Sequence, residues 1–413
     1  MVAPEIYRDR IWIDGCFDFA HHGHAGAMLQ ARQLGHSLYV GVHSDEEILE
    51  NKGPVVMTLP ERILAVEACK WATQAIPSAP YVTSPKVMDE YGCFYVVHGD
   101  DITTDANGED CYRVVKNAGR FLVVKRTPNI STTDLVGRML LCTKNHHIKA
   151  VSSENVEAAL ANARIGKPMD GLITPETIEK FRTYATGEDG KHPRDGVFIW
   201  TESSGENHDT GMLTTLVEPS PKFMQTHKRM IYVDGGFDLF FAGHIEFLRL
   251  ASQSAADLSR AIANGTGTEI GIVVGIHSDA TVNAFKPLNY PIMSLFERAL
   301  CVLQCKFVSH VVLQAPYCPT QSFLDALPWD IDAVMHGPTR IDTEQEKGDP
   351  YAEVKRTGLY REIGDHKYKD ISTETIVERV TRNRGVYEER QRRKGWKSDI
   401  ENELKSQEES ESS

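Results

Sequence analysis

One eleven-residue stretch occurs twice in this chain. Asp14-Gly15-Cys16-Phe17-Asp18-Phe19-Ala20-His21-His22-Gly23-His24 is answered by Asp234-Gly235-Gly236-Phe237-Asp238-Leu239-Phe240-Phe241-Ala242-Gly243-His244, which places Gly243 220 positions after Gly23. An internal duplication of this kind requires two tandem domains of one architecture, and 413 residues suffice for two such cores. Around the first copy, Ile11-Trp12-Ile13 reads as a buried strand. Ala25 to Leu34 reads as a helix stopped by Gly35, and Leu38-Tyr39-Val40-Gly41-Val42 as a second buried strand. Strand, helix and strand within some thirty residues imply a right-handed crossover and a parallel sheet, whose ligands bind at the carboxyl ends of the strands.

The glycine turn and its histidines fall at such an end, at the start of a helix. The free N–H groups and the positive dipole end there favour an anion, and His21 and His24 add donors suited to a triphosphate. Three histidines in a surface turn would be unremarkable alone; the recurrence of the turn argues for a site. His43-Ser44-Asp45 closes the second strand beside it. Lys52, in a loop Asn51-Lys52-Gly53-Pro54, is either a solvated charge or a phosphate ligand, and Leu59-Pro60-Glu61-Arg62 opens a helix running to Trp71. Phe94 to Val97 is a strand ending at Asp100 and Asp101, an acidic pair that suits a small cation held with a nearby aromatic face, or else a solvated turn. Phe121 to Val124 is a further strand. It runs through Arg126 into a helix capped by Ser131 or Thr132, with Asp134 in its first turn and Leu135 to Leu141 continuing it, which makes a second anion-binding helix start.

A net charge of −13 argues against a general nucleic-acid binder. No segment reaches the 18 or so apolar residues of a spanning helix, and the polar first ten residues lack a signal-peptide core, so a cytosolic protein is expected. The eight cysteines form no Cys-x-x-Cys pair; Cys301 and Cys305 read as core residues, and neither a disulfide framework nor a zinc site is expected.

His21-x-Gly23-His24 together with Arg126-Thr127-x-x-Ile130-Ser131-Thr132-Thr133 resembles the paired signature of the cytidylyltransferases that make CDP-alcohols, most closely the branch whose acceptor is phosphoethanolamine. The first half alone occurs across the wider nucleotidylyltransferase superfamily. The resemblance covers Ile11 to Leu141 and, more weakly, Ile231 to Val380. It departs at Asn129, where glycine is common, although asparagine tolerates a left-handed backbone. The resemblance implies an α/β fold of two tandem Rossmann-like parallel-sheet nucleotidyltransferase domains, and an in-line attack of the acceptor phosphate on the α-phosphorus of CTP without a covalent intermediate. It implies His21 and His24 on the phosphates where leaving-group charge builds, Lys52 on the α-phosphate, and Arg126 with the Ser131-Thr132 helix start on the β- and γ-phosphates. Gly15, Cys16, Phe17, Gly23, Thr127 and Ile130 complete the CTP site, with Gly15 and Phe17 as backbone donors. Asp100 or Asp101 is expected at the ammonium end with Tyr81 and Tyr112 as walls. Mg2+ is expected on the CTP phosphates, with no metal ligands from the chain. Rival readings are phosphocholine or glycerol 3-phosphate as acceptor, transfer from ATP, and a non-catalytic nucleotide sensor.

The expected organisation is a catalytic domain at 1–145, a partly ordered linker at 146–227, a second, inactive cytidylyltransferase-like domain at 228–385 and a charged tail at 386–413. In the linker, Asn155 to Ile165 and Glu176 to Tyr184 read as short helices, and Gly187 to Lys191 and Ser203 to Asn207 as mobile loops. The offset between the copies grows from 220 to 234 by Ser278, which places an insertion near Ser259 to Glu269, with Asn264-Gly265-Thr266-Gly267 as a surface loop. In the second copy Phe241 replaces His21, Pro338 and Thr339 replace Asp100 and Asp101, and Lys367-Tyr368 replaces Arg126-Thr127. Catalysis is therefore assigned to the first copy. The second is expected to be a structural partner in a pseudo-twofold arrangement, the alternative being nucleotide binding at Gly243, His244 and Ser372. The stretch from Arg379 to Ser413, rich in Arg, Glu and Ser, reads as solvated helix or disorder. No amphipathic membrane helix is evident, and any membrane contact would be peripheral.

Overall fold

A computed structural model describes residues 5–164, 173–202, 211–262, 269–339, 348–389 and 392. The chain forms two compact units. The first contains residues 1–141, 188–190 and 373–413, and the second residues 142–187 and 191–372.

In the first unit, β1 (Tyr7–Gly15), β2 (Ser37–His43), β3 (Gln74–Ala79), β4 (Cys93–Gly99) and β5 (Phe121–Val124) form a wholly parallel sheet in the order β3-β2-β1-β4-β5. The order reverses between β1 and β4, so their carboxyl ends flank the crevice where a ligand fits. Strand β3 escapes the sequence pattern because Pro77 lies inside it. It is an edge strand, where a missing N–H is tolerated. Trp12, Ile76, Tyr81, Met88, Val96 and Val115 make the core on one face of the sheet. Helix α1 spans His22–Gln33, α2 Asp45–Lys52 and α3 Leu59–Ala68. Lys52 is thus the last residue of a helix rather than part of a loop, and Trp71 lies beyond the end of α3.

The second unit repeats this plan with β8 (Arg229–Gly235), β9 (Ile270–Ile276), β10 (His310–Leu313), β11 (Asp330–His336) and β12 (Tyr360–Glu362). The connector was expected to be only partly ordered, yet it adds β6 (Gly196–Glu202) and β7 (Gly211–Val217) beside β10. The order is β12-β11-β8-β9-β10-β6-β7, with only the β6–β7 pair antiparallel among the described strands. Trp200, Phe198 and Val197 are buried there and make the connector part of a core. The expected connector helices are present as Ser153–Arg164 and Pro175–Tyr184. Gly187 to Lys191, read as mobile, forms an ordered turn: the Gly187 N–H donates to His192 O, and Gln33 donates to Gly190 O. Ser203 to Asn207 and Asn264 to Gly267 lie outside the described residues. The insertion is realised in part as a longer helix, Ala242–Ile262, of 21 residues against 12 for α1.

The helix Thr373–Arg382 packs in the first unit beside the helix Thr132–Leu141, although in sequence it closes the second copy. The chain beyond it is not simply solvated, since Tyr387 is buried and donates to Val55 O at 3.0 Å. Trp396 lies outside the described residues. Among the described residues no cysteine is joined in a disulfide.

Candidate active site

The turn between β1 and α1 is backbone-strained: Phe17, Phe19 and Ala20 have φ of 55°, 64° and 40°. Non-glycine residues in this region cost about 1–3 kcal/mol each, so something must hold them. Asp18 does so. Its buried carboxylate accepts from the Val56 and Met57 N–H groups at 2.9 and 2.8 Å, tying the turn to the segment that leads out of α2. His21 then caps α1: its Nδ1 accepts from the Gly23 N–H at 3.1 Å. That bond leaves the proton of a neutral ring on Nε2, as a donor. His24 follows one turn later with its ring stacked on that of His21, centroids 3.9 Å apart and planes 17° from parallel. Burial, then the charges of Lys52 and Arg126, push His24 down to about 3. Burial, then neighbouring His24, holds His21 well below the ordinary histidine value. The pair is therefore neutral at pH 7.

The charge of Arg126 helps to disfavour protonation of both imidazoles. Beyond it Asn129 has φ 63°, the left-handed backbone expected of it. Ser131 Oγ accepts from the Asp134 N–H at 3.1 Å and caps the helix Thr132–Leu141. The two signature helices meet at Gly23, where an added Cβ would lie 2.8 Å from Ile130 Cγ2 and 2.9 Å from His21 Nδ1. Gly23 therefore serves close packing of protein on protein, beyond any approach to phosphate. Asp100 and Asp101 are exposed and turned toward Arg126: the Arg126 N–H donates to Asp100 Oδ1 at 3.1 Å, and its Nη1 to Asp101 Oδ2 at 3.2 Å. The acidic pair thus orients the arginine in this structure, a task the sequence reading had not given it.

Lys52 points over the crevice, 5.6 Å from the Tyr81 ring centroid. Tyr81 packs on His43 and Tyr112 on His98, with centroids 5.2 and 4.6 Å apart, at the ends of β2 and β4. Both tyrosines are buried. Tyr112 Oη donates to Asp14 at 2.7 Å, and Asp14 also accepts from Trp12 Nε1 and Thr83 Oγ1. Thr127 and Cys16 are half-buried beside the two turns, and Gly15 ends β1. Sequence reasoning overlooked Arg62, fully buried in α3, which donates to Cys16 O, His43 O and Met57 O and pairs with Asp45. One guanidinium thereby joins three loops of the site. Its signal was in the duplication: Arg298 does the same for Gly236 O, His277 O, Met293 O and Asp279. Among the described residues no group of three or more His, Cys, Asp or Glu is arranged to hold a metal ion.

Comparison with known proteins bears on what this crevice belongs to. The family described as cytidylyltransferase-like matches residues 12–138 and 232–379. The ethanolamine-phosphate cytidylyltransferase of Mus musculus is 40% identical over 386 residues, covering 93% of this chain and 89% of the relative. That of Dictyostelium discoideum is 40% identical, covering 93% and 94%. The chain belongs to the ethanolamine-phosphate cytidylyltransferase family. By contrast, choline-phosphate cytidylyltransferase A of Mus musculus matches at 38% over 133 residues, 32% of this chain and 36% of the relative.

As in the first copy, the second keeps the architecture of the turn. Phe237, Leu239 and Phe240 have φ of 49°, 60° and 37°, and Asp238 accepts from the Ile292 and Met293 N–H groups. Phe241 lies against His244 at 3.9 Å, taking the place of one imidazole of the pair. Lys286, which ends the homologous segment after the helix Asp279–Phe285, still depresses His244, though burial is the larger cause and takes it to about 3. The lysine survives where the first imidazole and the arginine do not.

Proposed function

We propose that the first copy alone performs the chemistry of this family. The reaction is cytidylyl transfer from CTP to phosphoethanolamine, giving CDP-ethanolamine and pyrophosphate, a step of phosphatidylethanolamine synthesis. What carries the assignment is the stacked, neutral His21–His24 pair at the start of α1, within the field of Arg126 and beside the Ser131-capped helix at Gly23. These donors suit the triphosphate of CTP, and leaving-group charge would build beside them.

In this reading the acceptor phosphate attacks the α-phosphorus and pyrophosphate leaves, with no covalent intermediate. The chain contributes position and charge. His21 donates through Nε2–H, and His24 stacks behind it on the same phosphates. Lys52 reaches the α-phosphate, and Arg126 with the Ser131 and Thr132 helix start takes the β- and γ-phosphates. The backbone of Gly15, Cys16 and Phe17, together with Thr127 and Ile130, lines the nucleotide. Tyr81 and Tyr112 wall the acceptor end. Asp100 and Asp101 orient Arg126, and their carboxylates still give the ammonium a negative neighbourhood. Mg2+ would arrive on the triphosphate and neutralise its charge. No described helix is long and apolar enough to cross a membrane, which fits a cytosolic enzyme.

Pyrophosphate release with CTP and Mg2+ tests the assignment, with phosphoethanolamine or phosphocholine as acceptor, in wild type, His21→Ala and His244→Ala. Release that prefers phosphoethanolamine and falls about 100-fold or more in His21→Ala alone is expected. Equal losses in both variants would overturn the silent second copy.

A further inference from the structure

The second half of the loop that connects Lys52 to α3, Val55 to Thr58, is held by backbone hydrogen bonds at each residue. From within its own copy, Asp18 accepts from the Val56 and Met57 N–H groups and Arg62 Nε donates to Met57 O. Two further carbonyls, those of Val55 and Val56, are taken by the far end of the chain. Tyr387 Oη donates to Val55 O at 3.0 Å, and Arg379 Nη1 to Val56 O at 3.3 Å. Arg379 also forks onto Glu61 with bonds of 2.8 and 2.9 Å. Glu61 is itself buried and accepts from the Thr58 N–H as the capping box of α3. Side chains 318 and more residues away in sequence thus complete the fixing of four consecutive loop residues, Val55 to Thr58.

The second unit repeats the device with different side chains. There Asp238 accepts from Ile292 and Met293, so Pro291 stands where Val55 stands. His146 Nε2 donates to Pro291 O at 2.7 Å and His147 Nε2 at 3.0 Å. Those histidines follow the helix Thr132–Leu141 as Tyr387 follows the helix Thr373–Arg382. One carbonyl, just after the lysine segment, is held in both units by the segment that follows a signature helix. Residues of different chemistry preserve one contact, which marks the contact itself as what the fold maintains.

We propose that Arg379 and Tyr387 are positioning residues for Lys52: by fixing the Val55–Glu61 segment they hold the lysine over the crevice for the transition state. The inference rests on the role given to Lys52 above. Gly53, with φ 92° in the region that favours glycine, joins the lysine at the end of α2 directly to this loop, so the position of the ammonium depends on what fixes the loop beyond it. A reacting group displaced by about 1 Å costs up to about 100-fold in rate. Such a loss falls on kcat and leaves the KM for CTP nearly unchanged, because a contact made in the transition state is what weakens.

The test is a mutant cycle in the full chain, with kcat, KM for CTP and urea unfolding measured for wild type, Arg379→Met, Arg379→Lys, Tyr387→Phe, Lys52→Ala and the doubles with Lys52→Ala. Arg379→Met and Tyr387→Phe are expected to lower kcat about tenfold or more, with KM within about twofold, and Arg379→Lys to recover part of the loss. In the Lys52→Ala background the same changes are expected to have little further effect, since the group they position is gone. Full multiplication of the losses, or kcat unchanged in both single variants, would overturn the inference. If Lys52→Ala itself keeps wild-type turnover, the role of Lys52 fails, and the inference falls with it for a separately visible reason. Tyr387→Phe removes one hydroxyl from the segment's surroundings, so the cycle can be read even if Arg379→Met fails to fold.

Discussion

His24 is half-buried, and a free imidazole would be half protonated near pH 6.5. Desolvation and the Lys52 and Arg126 charges take it down to about 3. The site thus keeps a neutral donor and spares the ligand a competing proton equilibrium. A histidine depressed in the fold costs stability as the pH falls from 6.5 toward 3, because the unfolded chain takes up a proton that the folded chain refuses. Asp234 shows the opposite case. Asp14 in the first copy accepts from three side chains, but Pro319 stands where Thr83 would supply one of them, so Asp234 has lost that donor. Burial, opposed by the hydrogen bond from Tyr351 and by the neighbouring Tyr232 hydroxyl, raises Asp234 to about 7. An acid raised above its unfolded value contributes stability that is fully present below pH 3.8 and lost as the pH rises through about 7. Asp234→Asn has no such proton to lose. Between about pH 4 and pH 8 it is expected to gain a few kcal/mol relative to wild type, read as the difference of urea unfolding curves at the two pH values. A difference independent of pH would contradict the argument. Histidine contributions cancel in that comparison, since both proteins carry them.

At the scale of elements, much of the first copy was legible because its signals are local. Ile11 to Ile13, Leu38 to Val42, Phe94 to Val97 and Phe121 to Val124 are short apolar runs that became β1, β2, β4 and β5, and Ser131 with Asp134 announced a capped helix. Asn129 adopts φ 63°, as its substitution for glycine implied. What was not legible depends on partners distant in sequence. Arg62 looks like a surface helix residue until three loops are brought around it, and Arg379 looks solvated until Glu61, 318 residues away, is beside it. Pro77 hid an edge strand, and β6 and β7 carry no motif of the repeat. Gly23 links the two signature helices, and this gives a sharp expectation. In Gly23→Ala the new methyl meets Ile130 and the His21 ring at under 3 Å. Both are fixed by packing, so the helix starts must separate. Turnover is expected to fall about 10- to 100-fold with the unfolding midpoint little changed, whereas Asn129→Gly, sterically free at its φ, keeps near-normal turnover. Steady-state pyrophosphate release measures both; wild-type rates in Gly23→Ala would refute the close-packing role.

At the scale of the whole molecule, the duplicated sequence suggests two self-contained halves, and packing within the units says otherwise. Residues 142–187 follow the first copy yet build the second unit. Residues 373–389 end the second copy yet build the first. In the first unit Ile376 and Val380 are fully buried, and Tyr387 nearly so. Burying each such side chain contributes roughly 1.5–3 kcal/mol. Removing Arg379 also leaves Glu61, only 5% exposed at its side chain, without its cation; with the arginine itself a third exposed, this costs about 1–3 kcal/mol. The sum approaches the 5–15 kcal/mol of a typical domain. A fragment of residues 1–145, cut where the sequence repeat ends, is therefore expected to unfold without a cooperative transition and to release pyrophosphate at under about a tenth of the wild-type rate. Adding a peptide of residues 372–392 is expected to restore part of both, because it returns Ile376, Arg379, Val380 and Tyr387 to one face of the sheet's helical layer. A fragment that melts cooperatively and turns over like the full chain would show that the first copy folds unaided, and that its C-terminal helix is an ornament of packing rather than a part of the enzyme.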